Sequence, residues 1–127
     1  MFGFWIFMLI MDLLIPVTMI VIGWLFIKTP PENINMVSGY RTSMSMKSKD
    51  AWLFAHNYIG KLWRFIGLTM LVPTVIAMIL ILGNSIGVIG IFGGAVCLVQ
   101  VVFMIIPIIF TEKALRENFD TNGNRRK

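Results

Sequence analysis

Two stretches of this chain are almost pure hydrocarbon, and its charged residues are crowded into the blocks between and after them. Phe2 to Ile27 carries one charged residue, Asp12, and Phe65 to Thr111 carries none. As a single helix the second stretch would reach about 70 Å, more than twice a hydrocarbon thickness of about 30 Å. It must therefore fold back. Gly83-Asn84-Ser85 predicts the turn, because Gly and Asn tolerate the backbone angles of a reversal. Lipid offers no partner to open strand edges, so the spans are helices. The pattern predicts an all-α membrane protein, one integral membrane domain over 1–127 with three transmembrane helices near 3–27, 64–82 and 86–110. The first stretch lacks a basic leader and an A-x-A-like cleavage site, is long, and carries Asp12, so it is expected as a retained span rather than a signal peptide.

The polar segment 28–63 has its own grammar. Pro30-Pro31 stops the first helix, and Gly39 marks a turn. Ser48 predicts a helix N-cap, with Asp50 in the first turn favouring the positive helix end. Beyond it Trp52, Ala55, Ile59, Leu62 and Ile66 recur at helical spacing, with Trp63 flanking, while Lys49, Asp50, Asn57 and Lys61 lie mostly off that stripe. This predicts an amphipathic helix that either lies in the membrane interface or leads directly into the second span.

Composition and charge sharpen the picture. The chain is 57% hydrophobic and 13% charged, more apolar surface than a small soluble domain can bury. The net charge of +5 falls in two blocks beside apolar runs, which fits membrane topology rather than nucleic acid. Lys28, Arg41, Lys47, Lys49, Lys61 and Arg64 lie between the first two spans. Lys113, Arg116, Arg125, Arg126 and Lys127 lie in the tail, 111–127. All eleven share one side if the N-terminus is outside and the C-terminus inside, so the 28–63 segment is expected to be cytoplasmic and the chain a multi-pass protein of the cell membrane. Trp5 would mark the outer interface, and Trp24 and Trp63 the inner one. Arg125-Arg126-Lys127 reads as a lipid-facing topology signal. Cys97 reads as a small packing residue. His56, without a companion, reads as an interfacial polar residue, so no metal is expected. There is no nucleophile–base pair, no phosphate loop and no close acid pair, so neither an enzyme nor a cofactor is expected.

Asp12 is the one ionisable side chain within a span. An Asp at mid-membrane costs about 2.5–3.5 kcal/mol on the insertion scale, which the Leu, Ile, Val and Phe residues around it, at about −0.3 to −0.6 each, offset with an excess. Its carboxyl still needs a partner. Thr74 falls at the same depth and Gln100 about one turn further in. The expectation is that Asp12 faces the bundle, holds a proton and hydrogen-bonds one of these. Such an acid is either a peptide-, ion- or proton-responsive site or an interhelical clasp. Pro16, Pro73 and Pro107 put one bend in each span. Gly83, Gly87, Gly90 and Gly94, with Gly93 beside the last, form a small-residue face on the third span, either a groove for span one or two or the seam of a homodimer.

The order of residues in the polar segment adds a resemblance. Gly39-Tyr40-Arg41-Thr42, then Ser45-Met46-Lys47, then Trp52, Ala55 and Gly60-Lys61, resembles the signature of the SdpI-like family, small membrane proteins named for immunity to a sporulation-delaying toxin. The motif covers about 23 residues, and the rest of the chain matches only in hydropathy. Ser43-Met44 and His56 to Ile59 fall where the pattern is variable, and no role is carried onto them. The resemblance implies a membrane protein that protects the cell against a secreted antimicrobial peptide, with a link to a cytoplasmic regulator in the founding member. Arg41 offers a planar fork for a phosphate or carboxylate, while Lys47 and Lys61 are point charges. The motif is expected to fold back onto the inner mouth of the bundle, with Gly39 and Gly60 permitting close backbone approach and Arg41 bridging to a headgroup, a carboxylate or helix-end carbonyls. Two other functions fit the residues: a small oligomeric transporter or proton-linked channel using Asp12, and an accessory subunit docking a cytoplasmic partner through 39–61.

Overall fold

The computed structural model describes residues 2–30 and 39–126. The part of the polar segment from Pro31 to Ser38 lies outside the described residues, as do Met1 and Lys127. Three helices make up most of the rest: α1 (Phe2–Lys28), α2 (Lys49–Leu80) and α3 (Ile86–Asn118). Each is long and apolar enough to cross a membrane. Turns and one isolated antiparallel bridge, Phe119 to Arg125, account for the other described residues.

Helix α2 takes in both the motif helix and the second span without a break. Ser48 starts it, its Oγ accepting from the Ala51 N–H at 3.1 Å, and the chain then continues helically through residue 64 into the uncharged run. At about 1.5 Å per residue, 32 residues extend about 48 Å, so α2 overreaches the hydrocarbon at its polar end. Helix α3 likewise runs past 110, through Thr111, Glu112 and Lys113, to Asn118. The turn between them holds Gly83 at φ +87°, a backbone setting that glycine adopts without strain. Ser85 caps the start of α3 by accepting from the Val88 N–H at 3.3 Å.

Helix α1 packs against α2 more extensively than either packs against α3. Glycine makes that seam. A Cβ built on Gly23 would lie 2.7 Å from the Gly60 carbonyl oxygen, and one on Gly60 would lie 2.7 Å from that of Gly23. Gly67 is placed similarly, 2.8 Å from the Pro16 oxygen. The Gly83, Gly87, Gly90 and Gly94 face does not form the expected groove. Cβ atoms on Gly83 and Gly94 would meet nothing within 4 Å, Gly87 would meet only the Ser85 hydroxyl, and Gly90 only the edge of Phe4 at 3.8 Å. Gly93 instead faces Met8 and Asp12 of α1. The reason is the rotation of α3: its buried side follows Gly93, Gln100, Pro107 and Ala114, a seven-residue repeat that turns the 4-3-4 series away. Large apolar side chains such as Phe65, Leu98 and Ile91 point outward, the surface a bilayer solvates.

Gly60→Ala should force α1 and α2 apart and lower thermal stability in detergent or nanodiscs by about 1–3 kcal/mol, the scale of an overpacked core. Gly94→Ala, into open space, should leave the unfolding midpoint unchanged or slightly higher. Equal effects at the two positions would refute the close-approach seam.

Candidate functional site

Residues 39–48, the start of α2 and the end of α3 converge at one end of the bundle. Gly39, at φ +97°, turns the chain so that Tyr40 points inward. The Tyr40 hydroxyl donates to Glu112 Oε2 at 2.6 Å, and the Thr42 hydroxyl donates to the same oxygen at 2.8 Å. Burial, with the hydrogen bond and charge of Glu112, pushes the Tyr40 phenol well above its usual range, so it stays a donor. Thr42 and Ser45 close a small turn: Ser45 Oγ accepts the Thr42 N–H at 2.8 Å, and the Ser45 N–H reaches Thr42 Oγ1 at 3.2 Å. The buried Ser45 hydroxyl in turn donates back to the Tyr40 or Thr42 carbonyl, each at 3.0 Å.

His56 pins this turn to α2. Its ring is fully buried, 4.4 Å from Trp52 and 4.7 Å from Phe26 between centroids. Nε2 accepts the Tyr40 backbone N–H at 2.9 Å, which leaves Nδ1 to donate to the Trp52 carbonyl at 2.8 Å. These partners fix one neutral tautomer. His56 lies before the uncharged run of α2, and burial moves its pKa down from the ordinary value. Around it Tyr40, Ala51, Ala55, Ile59, Leu115 and Phe119 form an apolar core.

The residues after α3 complete the assembly. Asp120 Oδ1 accepts the Asn122 and Asn124 N–H groups at 2.9 Å each, and Gly123 takes φ +85°. The hydrogen bond from Asn124 is foremost in holding the Asp120 carboxyl below its usual range. The turned chain seats Gly123 on the backbone of Lys47, and Ser48 Oγ–H donates to the Gly123 carbonyl at 2.6 Å. Arg126 Nε donates to the Arg116 and Phe119 carbonyls at 2.9 and 3.0 Å, satisfying groups that the end of α3 leaves open. Arg125 lies over the Phe119 ring at 4.9 Å and the Phe54 ring at 5.8 Å. Arg125 and Arg126 are thus held against protein, because a tight turn returns this part of the chain to the cap of α2.

A second polar centre lies inside the bundle. Asp12, Thr74 and Gln100, one from each helix, are buried together. Pro16 has no N–H for the Asp12 carbonyl, the acceptor four residues before it. Gln100 Nε2 supplies the missing donor at 2.8 Å, and its other hydrogen goes to Thr74 Oγ1, also at 2.8 Å. The hydrogen bond expected at the Asp12 carboxyl is therefore made at its main-chain carbonyl instead, and both carboxyl oxygens are unpartnered. Gln100 and Thr74 also line a groove of about 620 Å³ between α2 and α3, walled mostly by apolar side chains such as Pro73, Val99 and Phe103.

The motif positions sort into two sets. Tyr40, Ser45, Trp52, Ala55 and Gly60 are buried, and Thr42 and Met46 half-buried, forming the frame. Arg41, Lys47 and Lys61 are exposed around it. His56, expected as an interfacial polar residue, is instead buried at the centre of this end, and Glu112 carried no expectation from the sequence. His56 sits where the motif pattern varies, and its signal was the helical spacing from Trp52, four residues earlier. Glu112, an acid directly after an uncharged run and opposite two hydroxyls of the motif, had no local signal. Trp5 and Trp63, expected at the two membrane interfaces, also tie helices together: their indole N–H groups donate to the Met78 and Met104 carbonyls at 2.7 and 3.1 Å.

The neutral His56 tautomer sets a pH dependence. An unfolded His, with a pKa of about 6.5, binds a proton more readily than the folded one, so unfolding takes up a proton. Stability is full above about pH 6.5 and should fall as pH drops below it towards the lower folded value. His56 is the only histidine of the chain, so its share of the midpoint change between pH 8 and pH 5 is the difference between the wild type and His56→Gln, and the variant should lose less stability on acidification. A wild-type curve as flat as the variant's would contradict the assignment.

The SdpI/YfhL protein family model matches residues 32–111, from the polar segment through the end of the third membrane-crossing run. No curated protein and no solved structure matches the chain. The matched region covers more than half of the sequence and contains Tyr40, Thr42 and His56, with Glu112, the acceptor of the two hydroxyls, one residue beyond its end. The chain belongs to the SdpI/YfhL family.

Proposed function

We propose that this protein is an immunity factor of a bacterial cytoplasmic membrane, protecting the cell against a secreted, membrane-active peptide. One observation carries the reading: the family match covers the motif turn and its anchor on α2, from Tyr40 to His56, together with the two membrane-crossing runs that follow. A peptide that acts in the bilayer meets the lipid-facing helices, and the groove between α2 and α3 is a concave stretch where an apolar peptide face can seat. At one end of the bundle the Tyr40–Thr42–Glu112 clasp and His56 tie α3 to α2 through the motif turn. In this reading the motif end faces the cytoplasm and the 81–85 turn faces outward, as the distribution of Lys and Arg supports.

A second reading rests on the exposed cations Arg41, Lys47 and Lys61, which stand on the rigid motif frame rather than on a loose loop. Such a surface fits a soluble acidic regulator docked at the membrane. Crosslinking from Lys47 in intact cells separates the two, since immunity by peptide capture requires no soluble partner.

Cells expressing the chain should survive challenge with membrane-active peptides secreted by related bacteria better than cells lacking it. Glu112→Ala, which leaves two hydroxyl donors without their acceptor, should lower protection at equal membrane abundance. Identical survival with and without the gene across such a panel would refute immunity. Orientation has its own check: a membrane-impermeant thiol reagent should label Asn84→Cys in intact cells and label Lys47→Cys only after permeabilisation. The reverse pattern would invert the topology.

A further inference from the structure

Asp12 is fully buried, and neither of its carboxyl oxygens has a hydrogen-bond partner. Among the described residues, the other buried side-chain oxygen in that condition is Gln100 Oε1, of the same cluster. The Gln100 amide cannot turn to serve the carboxyl. Both of its hydrogens are committed, one to the Asp12 carbonyl that Pro16 leaves without a helix donor and one to Thr74. Exchanging its oxygen and nitrogen would set an acceptor against that carbonyl. The cluster therefore holds three acceptor atoms and lacks a donor. An ionised carboxylate in that setting, away from water, is strongly unfavourable.

No cation answers it. Helix α1 has no other charged residue before Lys28. The lengths of α2 and α3 that run beside it, 65–80 and 86–111, contain no Lys, Arg, His, Asp or Glu, and the titratable side chain they carry is the half-buried thiol of Cys97. We propose that Asp12, Gln100 and Thr74 form a proton-binding site, with the proton carried on the Asp12 carboxyl and Gln100 Oε1 as the acceptor waiting for it. The bound proton closes the contact between α1 and α3 where Gly93 faces Asp12. Release leaves a carboxylate that needs water. Gln100 and Thr74 stand between it and the α2–α3 groove, so hydration enters by that route and loosens the helix contacts there. Protonation at Asp12 thus sets how tightly the bundle is closed, independently of the clasp at the motif end and of the immunity reading.

Infrared spectroscopy of the full chain in lipid nanodiscs tests this. At pH 7 the wild type should show a carboxylic-acid carbonyl band that moves on ¹³C-aspartate labelling and not on ¹³C-glutamate labelling. Asp12→Asn, which supplies N–H donors in the same place without titrating, should lose the band. Raising the pH should bleach the band and lower the unfolding midpoint of the wild type, while the Asn variant holds its midpoint across that range. Should the variant fail to accumulate, the isotope shift and its titration in the wild type decide alone. A missing band at pH 7, or one that ignores aspartate labelling, overturns the proposal. So does stabilisation by Na⁺ over K⁺ without the band, which would make the cluster a monovalent-cation site.

Discussion

Hydrocarbon gives a polar group no partner, so each place where one of these helices interrupts its own hydrogen bonding must be answered by protein. Pro16 shows the constraint most directly. It strands the Asp12 carbonyl in the middle of α1, and a glutamine of α3 reaches across to satisfy it. That bond holds Gln100 facing α1. The buried face of α3 then runs through Gly93 and Pro107, and the remaining glycines turn outward. Thr111 adds a local bond of its own, to the Pro107 carbonyl at 2.7 Å.

The motif end solves a different problem with the same economy. Outside the apolar runs water competes for every donor, so a turn rich in hydroxyls would not hold itself to the bundle. It is held because its donors are buried against specific acceptors: Tyr40 and Thr42 on Glu112, the Tyr40 N–H on His56, and Ser48 on Gly123. Each joins a different part of the chain. The frame so made is stiff, and the exposed Arg41, Lys47 and Lys61 inherit fixed positions from it. A family signature that mixes buried aromatics, hydroxyls and surface cations becomes intelligible as a frame and what the frame displays.

The helices were legible in the sequence because the bilayer writes them plainly: long uncharged runs, a Gly-Asn-Ser turn, and Ser48 before Asp50 at the start of α2. The depth at which Asp12, Thr74 and Gln100 meet was also legible, from residue counts alone. What atoms meet there was not. Counting places side chains at a level, but it does not say that a proline has freed a backbone acceptor better placed than the carboxyl. The groove expected on the glycine face of α3 failed for a related reason. Small residues at helical spacing permit close approach, yet which face is used depends on rotation. Glu112 and the tail were invisible because their partners lie far away along the chain.

That separation governs how the protein can be made. Tyr40, Thr42 and Ser48 leave the ribosome early, while their partners Glu112 and Gly123 follow 70 to 75 residues later. Two further spans must enter the bilayer in the interval. Throughout it the motif can find His56 and Trp52, which follow closely, but its hydroxyls stay in water and the apolar flank of Ala55 and Ile59 stays uncovered by Leu115 and Phe119. Closure of this end therefore reports that the third helix has arrived, and a chain whose last span fails to insert presents an open, sticky motif to the quality-control proteases of the membrane.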